Sequence, residues 1–205
     1  MGETKKIAFM KTKLAPIERP SGLMKKFIYW MSRKQYGKVM TPLKVVFARL
    51  PISFGMYVQK LEKLEQKYEL PKYLAVLVRT HVAQLNTCKF CIDIAKYEVI
   101  NHYPDQKDKF FNVASYKSSL LFTPREKAAL LYAEELTLNK KISDETFAEA
   151  QNHFSERELV ELAWAVTREH IYNLMNLAFD IESDGFCQLP EPGMKTSERE
   201  VASAV

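Results

Sequence analysis

The sequence predicts an all-α fold, and three observations carry that expectation. Apolar residues recur every three or four positions through long segments, the period of an amphipathic helix. Capping boxes and proline-led starts mark where helices begin. No alternating apolar run flanked by hairpin turns occurs along the chain.

Taken in order, residues 1–21 read as a tail, because Pro16 and Pro20 bracket a polar stretch without a sustained period. Phe27, Ile28, Trp30 and Met31 follow, set among Lys25, Lys26 and Arg33. This segment reads as a helix packing its aromatics on the core or on a partner subunit, with a membrane-surface helix as the alternative. Pro42 and Pro51 punctuate two helical pieces, the second beginning near Ile52. Tyr57, Leu61, Leu64 and Tyr68 then recur at helical spacing, with Lys60, Glu62, Lys63, Glu65 and Lys67 as a salt-laced outer face. Leu70-Pro71 ends that helix and starts the next, since proline suits a first turn and disfavours helix in its predecessor. Residues 72–85 are almost uniformly apolar, broken by Arg79, His81 and Gln84, and their length favours a buried helix over a strand. Asn86-Thr87 offers N-cap side chains for a helix from Cys88 to about Asn101, with Cys91, Ile94, Ala95 and Val99 facing inward. Tyr103-Pro104-Asp105 breaks it.

The C-terminal half has the clearest starts. Thr123-Pro124-Arg125-Glu126 is a capping box with proline at the first helical position, Ser155-Glu156-Arg157-Glu158 is another, and Ser143-Asp144-Glu145 marks a further start. The helix from Pro124 is expected to bury Ala129, Leu130, Ala133 and Leu136. The helix from Glu156 is expected to bury Leu159, Val160, Ala163, Val166 and Tyr172. After Gly185 the chain turns polar and proline-marked. The expected division is a tail over 1–21, a helical domain over 22–187 and a tail over 188–205.

At 205 residues, with 47% hydrophobic and 27% charged residues, the chain has ordinary globular usage. A chain of this size buries roughly 70% of the surface it exposes when unfolded, so it needs no disulfide for stability. The net charge of +5 gathers in the first quarter without a recognisable nucleic-acid module, so no nucleic-acid partner is expected. No segment approaches the roughly 18 consecutive apolar residues of a membrane span, and the N-terminus lacks the apolar core of a signal peptide. Three cysteines are too few for a secreted scaffold. The expected compartment is the reducing cytoplasm, with no cofactor. The apolar surplus of Phe27, Ile28, Trp30, Met31 and Phe47 predicts a homo-oligomer.

Chemistry concentrates at Cys88-Lys89-Phe90-Cys91. Two thiols three residues apart lie on neighbouring parts of one helix face, where a disulfide closes with little backbone movement. A place in the first turn favours a thiolate through unpaired amides and the helix dipole, and Lys89 adds positive charge. Redox chemistry competes here with two buried inert cysteines. It also competes with zinc, which needs two further ligands. Cys187, His102, His153 and His170 would have to converge for that, and no metal is expected.

A longer pattern surrounds the pair. Leu85-Asn86-Thr87-Cys88-Lys89-Phe90-Cys91-Ile92-Asp93, Phe122-Thr123-Pro124-Arg125-Glu126-Lys127-Ala128-Ala129-Leu130 and Phe154-Ser155-Glu156-Arg157-Glu158-Leu159-Val160-Glu161-Leu162 follow in that order, with Tyr172-Asn173 beyond. Together, over roughly residues 40–187, they resemble the carboxymuconolactone decarboxylase superfamily on its alkylhydroperoxidase D-like side. The resemblance implies an all-helical protomer that assembles into trimers or larger rings. It also implies that Cys91 attacks a peroxide and Cys88 resolves the sulfenic acid into a disulfide. The dipole argument favours Cys88 as the more acidic thiol; the roles here follow the family.

Two departures matter. The peroxidase branch carries a histidine four residues after the second cysteine and a glutamate twelve before the first; here these positions are Ala95 and Val76. General-base help must come from elsewhere or be lost. His170, on another helix beside Glu169 and Tyr172, is the candidate substitute, and Cys187 a possible third exchange partner. The expected function is a thiol-dependent peroxidase or disulfide oxidoreductase with weakened general-base assistance, taking a hydroperoxide or disulfide and a thiol reductant. The alternative is a catalytically degenerate helical oligomer that binds an apolar ligand or partner. Lactone decarboxylation fits less well, having no use for a dithiol.

Overall fold

The computed structural model describes residues 12–188, and the chain forms one helical domain with no strand among those residues. Its α-helices are α1 (Leu23–Tyr36), α2 (Ile52–Glu65), α3 (Lys72–Leu85), α4 (Lys89–His102), α5 (Lys107–Phe111), α6 (Pro124–Asn139), α7 (Asp144–Gln151) and α8 (Glu156–Ala178). A π-helical turn at Leu43–Phe47 and 3-10 turns at Pro104–Gln106, Val113–Ser115 and Phe186–Gln188 complete it. Among the described residues no helix is long and apolar enough to cross a membrane.

The helix starts follow the side chains that cap them. Thr123 Oγ1 accepts the Glu126 N–H at 3.2 Å while Glu126 Oε2 accepts the Thr123 N–H at 2.7 Å. Ser155 and Glu158 exchange the same pair of bonds at 3.2 and 3.0 Å. Ser143 caps α7 through the Thr146 N–H, but its own N–H is taken by Glu135 of α6, so this start is tied to a neighbouring helix.

The uniformly apolar α3 runs through the centre, packed against α4, α6 and α8. Leu74, Leu77, Val78 and Val82 on α3 meet Leu130 of α6 and Leu162 of α8, all fully buried. Each such side chain contributes about 1.5–3 kcal/mol relative to an exposed position. Leu136, Ala163, Tyr172, Ile94 and Ala95 are only half-buried, and Val160 is 70% exposed. The period correctly placed an apolar stripe on α8; the core lies against Leu159, Leu162, Ala165 and Val166.

The first two helices depart further from expectation. Tyr29 and Ser32 face inward on α1, while Phe27 and Trp30 stack on each other, 51% and 53% exposed. None of α2 is buried: Tyr57 and Leu64 are exposed, and Leu61 and Tyr68 half-buried. Residues 12–21, read as part of a tail, carry no helix but lie strapped to the body. The Lys13 N–H donates to Phe179 O at 3.0 Å, the Ile17 N–H to Lys44 O at 3.1 Å, and Arg49 to Ala15 O at 2.7 Å. The expected tails over 1–11 and 189–205 lie outside the described residues.

His81, turned into the core from α3, shows a consequence of this packing. Neither ring nitrogen has a hydrogen-bond partner, and the ring meets Tyr116 edge-on with Glu134 3.7 Å away. Burial holds its pKa below the ordinary histidine value, with Glu134 pulling partly the other way. The folded state therefore binds fewer protons than the unfolded one. Stability is full above about pH 6.5 and declines as pH falls below that value. Thermal melts at pH 8 and pH 5 should show this drop, and His81→Phe should shrink it. An equal drop in the variant would assign the effect to other groups.

Candidate active site

The end of α3 builds the site. The Thr87 N–H bonds to Gln84 O and the Cys88 N–H to Ala83 O, both at 3.0 Å, a Schellman pair with Thr87 in the left-handed region at φ 53°. A β-branched residue there carries strain of about 1–3 kcal/mol. That turn presents Cys88 to the next helix. The N-cap of α4 is Cys88 itself, not Asn86 or Thr87: its sulfur accepts the Cys91 N–H at 3.3 Å. Asn86 instead ends α3.

Cys88 and Cys91 are joined as a disulfide, with Cα atoms 5.3 Å apart. Cys88 is fully buried and Cys91 is 4% exposed. Only Cys91 of the two lines a cavity of about 1070 Å³ enclosed by α1, α2, α3, α4 and α8, with largely apolar walls such as Met31, Phe47, Met56 and Phe90. Asn176, buried on α8, directs its Nδ2 at the pair, 3.3 Å from Cys91 Sγ and 3.9 Å from Cys88 Sγ. An amide donor stabilises negative charge on sulfur. Position at the helix start thus favours Cys88 as thiolate, whereas access and the Asn176 contact favour Cys91 as the sulfur a substrate meets.

Asp93, two residues on, ties the far end of the chain to this site. Its carboxylate accepts the N–H groups of Phe186 and Cys187, each at 3.0 Å. Burial pushes its pKa up, but these backbone bonds outweigh that and hold it below the ordinary aspartate value. Phe186, fully buried, packs among Phe90, Tyr97 and Tyr36 in the same apolar cluster as the pair.

His170 lies elsewhere. Its Nδ1 sits 3.2 Å from Asn86 Nδ2 and its Nε2 3.3 Å from Thr137 Oγ1; it does not line the cavity. Burial, then Lys140, holds its pKa below the usual histidine value, so a neutral ring accepts from Asn86. The same Asn86 amide donates to Asn173 Oδ1 at 2.9 Å, and Asn173 Nδ2 donates to Glu169 at 2.6 Å. His170 therefore anchors the turn before Cys88 and bonds to neither sulfur. Cys187 forms no disulfide and lies at the surface, and partial desolvation of its thiol, then Asp93 beside it, pushes its pKa up, which disfavours it as an exchange partner. Among the described residues no histidine, cysteine or carboxylate cluster could hold a metal ion.

No family model matches the chain. The alkylhydroperoxidase D core structure of an uncharacterized peroxidase-related protein from Ralstonia eutropha JMP134 superposes with a TM-score of 0.69 at 16% identity, covering 88% of this chain and 98% of the other. The debrominase Bmp8 in complex with 2,3,4-tribromopyrrole gives 0.72 at 15% identity, covering 85% and 93%. The uncharacterized protein YnjA of Escherichia coli (strain K12) is 31% identical over 166 residues, 79% of this chain and 89% of YnjA. The chain belongs to the family of YnjA. Its fold is that of the alkylhydroperoxidase D core. In this member of the YnjA family Val76 and Ala95, the positions where the resemblance led us to expect a relay, both line the cavity with Cys91. Asn176 and Glu169 were not legible as site residues. Their one signal was the seven-residue interval, which sets both on one face of α8.

Proposed function

We propose that this protein is a thiol-dependent oxidoreductase that reduces hydroperoxides, or exchanges disulfides, through Cys88 and Cys91. The observation that carries this reading is the sulfur pair under the Asn176 amide, with only Cys91 lining a large apolar cavity. Cys91 attacks the substrate, Cys88 resolves the product into the disulfide, and a thiol reductant of the cytoplasm reopens it. The peroxidase-related names of the fold neighbours support the same reaction class. Reduced protein exposed to millimolar peroxide should lose two titratable thiols, and a dithiol should restore them. Three thiols still free after that treatment would favour the second reading, a binding protein for an apolar ligand. The cavity's size and apolar walls, with Val76 and Ala95 in place of a relay, favour that reading.

The chain also associates with further copies of itself. Met24, Phe27, Trp30 and Met31 on α1 and Ile52, Met56 and Tyr57 on α2 are large apolar side chains left exposed on the two helices, and grouped exposed apolar residues favour a partner surface. Sedimentation at micromolar concentration should give a species heavier than 23.8 kDa. A single monomer-weight species would overturn this.

A further inference from the structure

The cavity holds one carboxyl group that neither the sequence pattern nor the dithiol chemistry has yet used. Glu169 is buried on α8, and its Oε1 accepts the Asn173 amide at 2.6 Å. Among the described residues its other oxygen accepts no hydrogen bond, and the residue lines the same cavity as Cys91, Val76 and Ala95. The other carboxylates of that wall are committed or wet: Glu65 and Glu62 pair with Arg168, and Glu98, 40% exposed, faces Arg79 at 3.7 Å. Glu169 and Asn176 are seven residues apart on one helix face, about 10 Å along the axis. The Glu169 carboxyl and the Cys91 sulfur line one cavity of about 1070 Å³, which has room for a chain of waters between them.

Resting on the oxidoreductase reading, we infer that Glu169 exchanges the proton of Cys91 during peroxide reduction, from a helix other than those that carry Val76 and Ala95. The Glu169 carboxylate takes the Cys91 thiol proton through cavity water. The thiolate attacks the terminal oxygen of a hydroperoxide, forming the S–O bond of a sulfenic acid and breaking the O–O bond. Sulfur is oxidised by two electrons and the peroxide is reduced. The departing alkoxide takes the proton from Glu169 and leaves as an alcohol, restoring the carboxylate. Cys88 then attacks the sulfenic sulfur, its proton leaves with the hydroxyl as water, and a dithiol reductant reopens the disulfide. The surroundings suit this task. Burial pushes the Glu169 pKa up, while Arg79 from α3, the Asn173 amide and Arg168 pull it down, and Glu98 from α4 pushes with burial. A carboxyl raised by its surroundings is a stronger base towards a thiol and remains a usable acid at neutral pH.

The test separates proton delivery from thiolate formation. In a Cys88→Ser, Cys187→Ser background, Cys91 is the only thiol, and its reaction with cumene hydroperoxide or with iodoacetamide is followed from pH 6 to 9. Alkylation releases iodide and needs no proton donor. Glu169→Gln should slow the hydroperoxide reaction at least about 100-fold at pH 7 and flatten its pH profile. Alkylation at matched thiolate fraction should change less than about tenfold, and Glu169→Asp should recover part of the peroxide rate. Equal hydroperoxide rates in the Gln variant, or a parallel fall in both reactions, would overturn the role of Glu169 alone. A background protein that alkylates normally but ignores hydroperoxide would overturn the peroxidase reading itself, and this inference with it.

Discussion

Cys91→Ser should abolish peroxide consumption outright, because among the described residues it removes the one cysteine that lines the cavity. Cys88→Ser should behave differently. Cys88 is fully buried, and its loss leaves Cys91 able to attack but unable to be resolved. A sulfenic acid should then accumulate on Cys91 and be captured by a dimedone-type probe, visible by mass spectrometry as one adduct on the peptide carrying Cys91. An adduct on Cys88 in the Cys91→Ser protein, with none on Cys91 in the converse variant, would reverse the two roles. That outcome has a physical route. Cys88 is the N-cap, where the helix dipole favours a thiolate most, so access and acidity point to different sulfurs. Access decides here, since a bulky hydroperoxide cannot reach a sulfur with no exposed surface.

Asp93→Ala should be the most destabilising single change near the site. It leaves the N–H groups of Phe186 and Cys187 without their acceptor, at about 1–3 kcal/mol each, hence roughly 2–6 kcal/mol in urea unfolding. It also frees the segment whose Phe186 packs in the same apolar cluster as the disulfide. The folded carboxyl titrates below its unfolded value, so its stabilisation is present above about pH 4 and fades as pH falls through the folded value. A loss below about 1 kcal/mol at pH 7 would mean that the segment is held instead by its other ties. Those are the bonds from Thr41 to Asp184 at 2.8 and 2.6 Å and the Lys89–Glu182 pair at 2.8 Å.

The local chemistry of the chain determined much of this structure. The capping boxes at Thr123 and Ser155 are complete within four residues, so the starts of α6 and α8 need nothing from elsewhere. Pro71 and Pro124 act through their own rings, and the three-residue spacing of Cys88 and Cys91 sets their Cα atoms 5.3 Å apart at the start of α4. What faces what was not local. A helical period shows that α1 has an apolar stripe, but Phe27 and Trp30 ended outward and Tyr29 inward, because the partner surface is built by distant residues such as Ile17, whose carbonyl accepts the Tyr29 hydroxyl at 2.8 Å. The cap of α4 passed to a sulfur because the Schellman turn at Thr87 consumes the residues before it. Asn176 and Glu169 joined the site for the same reason that His170 stayed out of it. All three lie on α8, and only its packing against α3 and α4 decides which of its faces meets the cysteines.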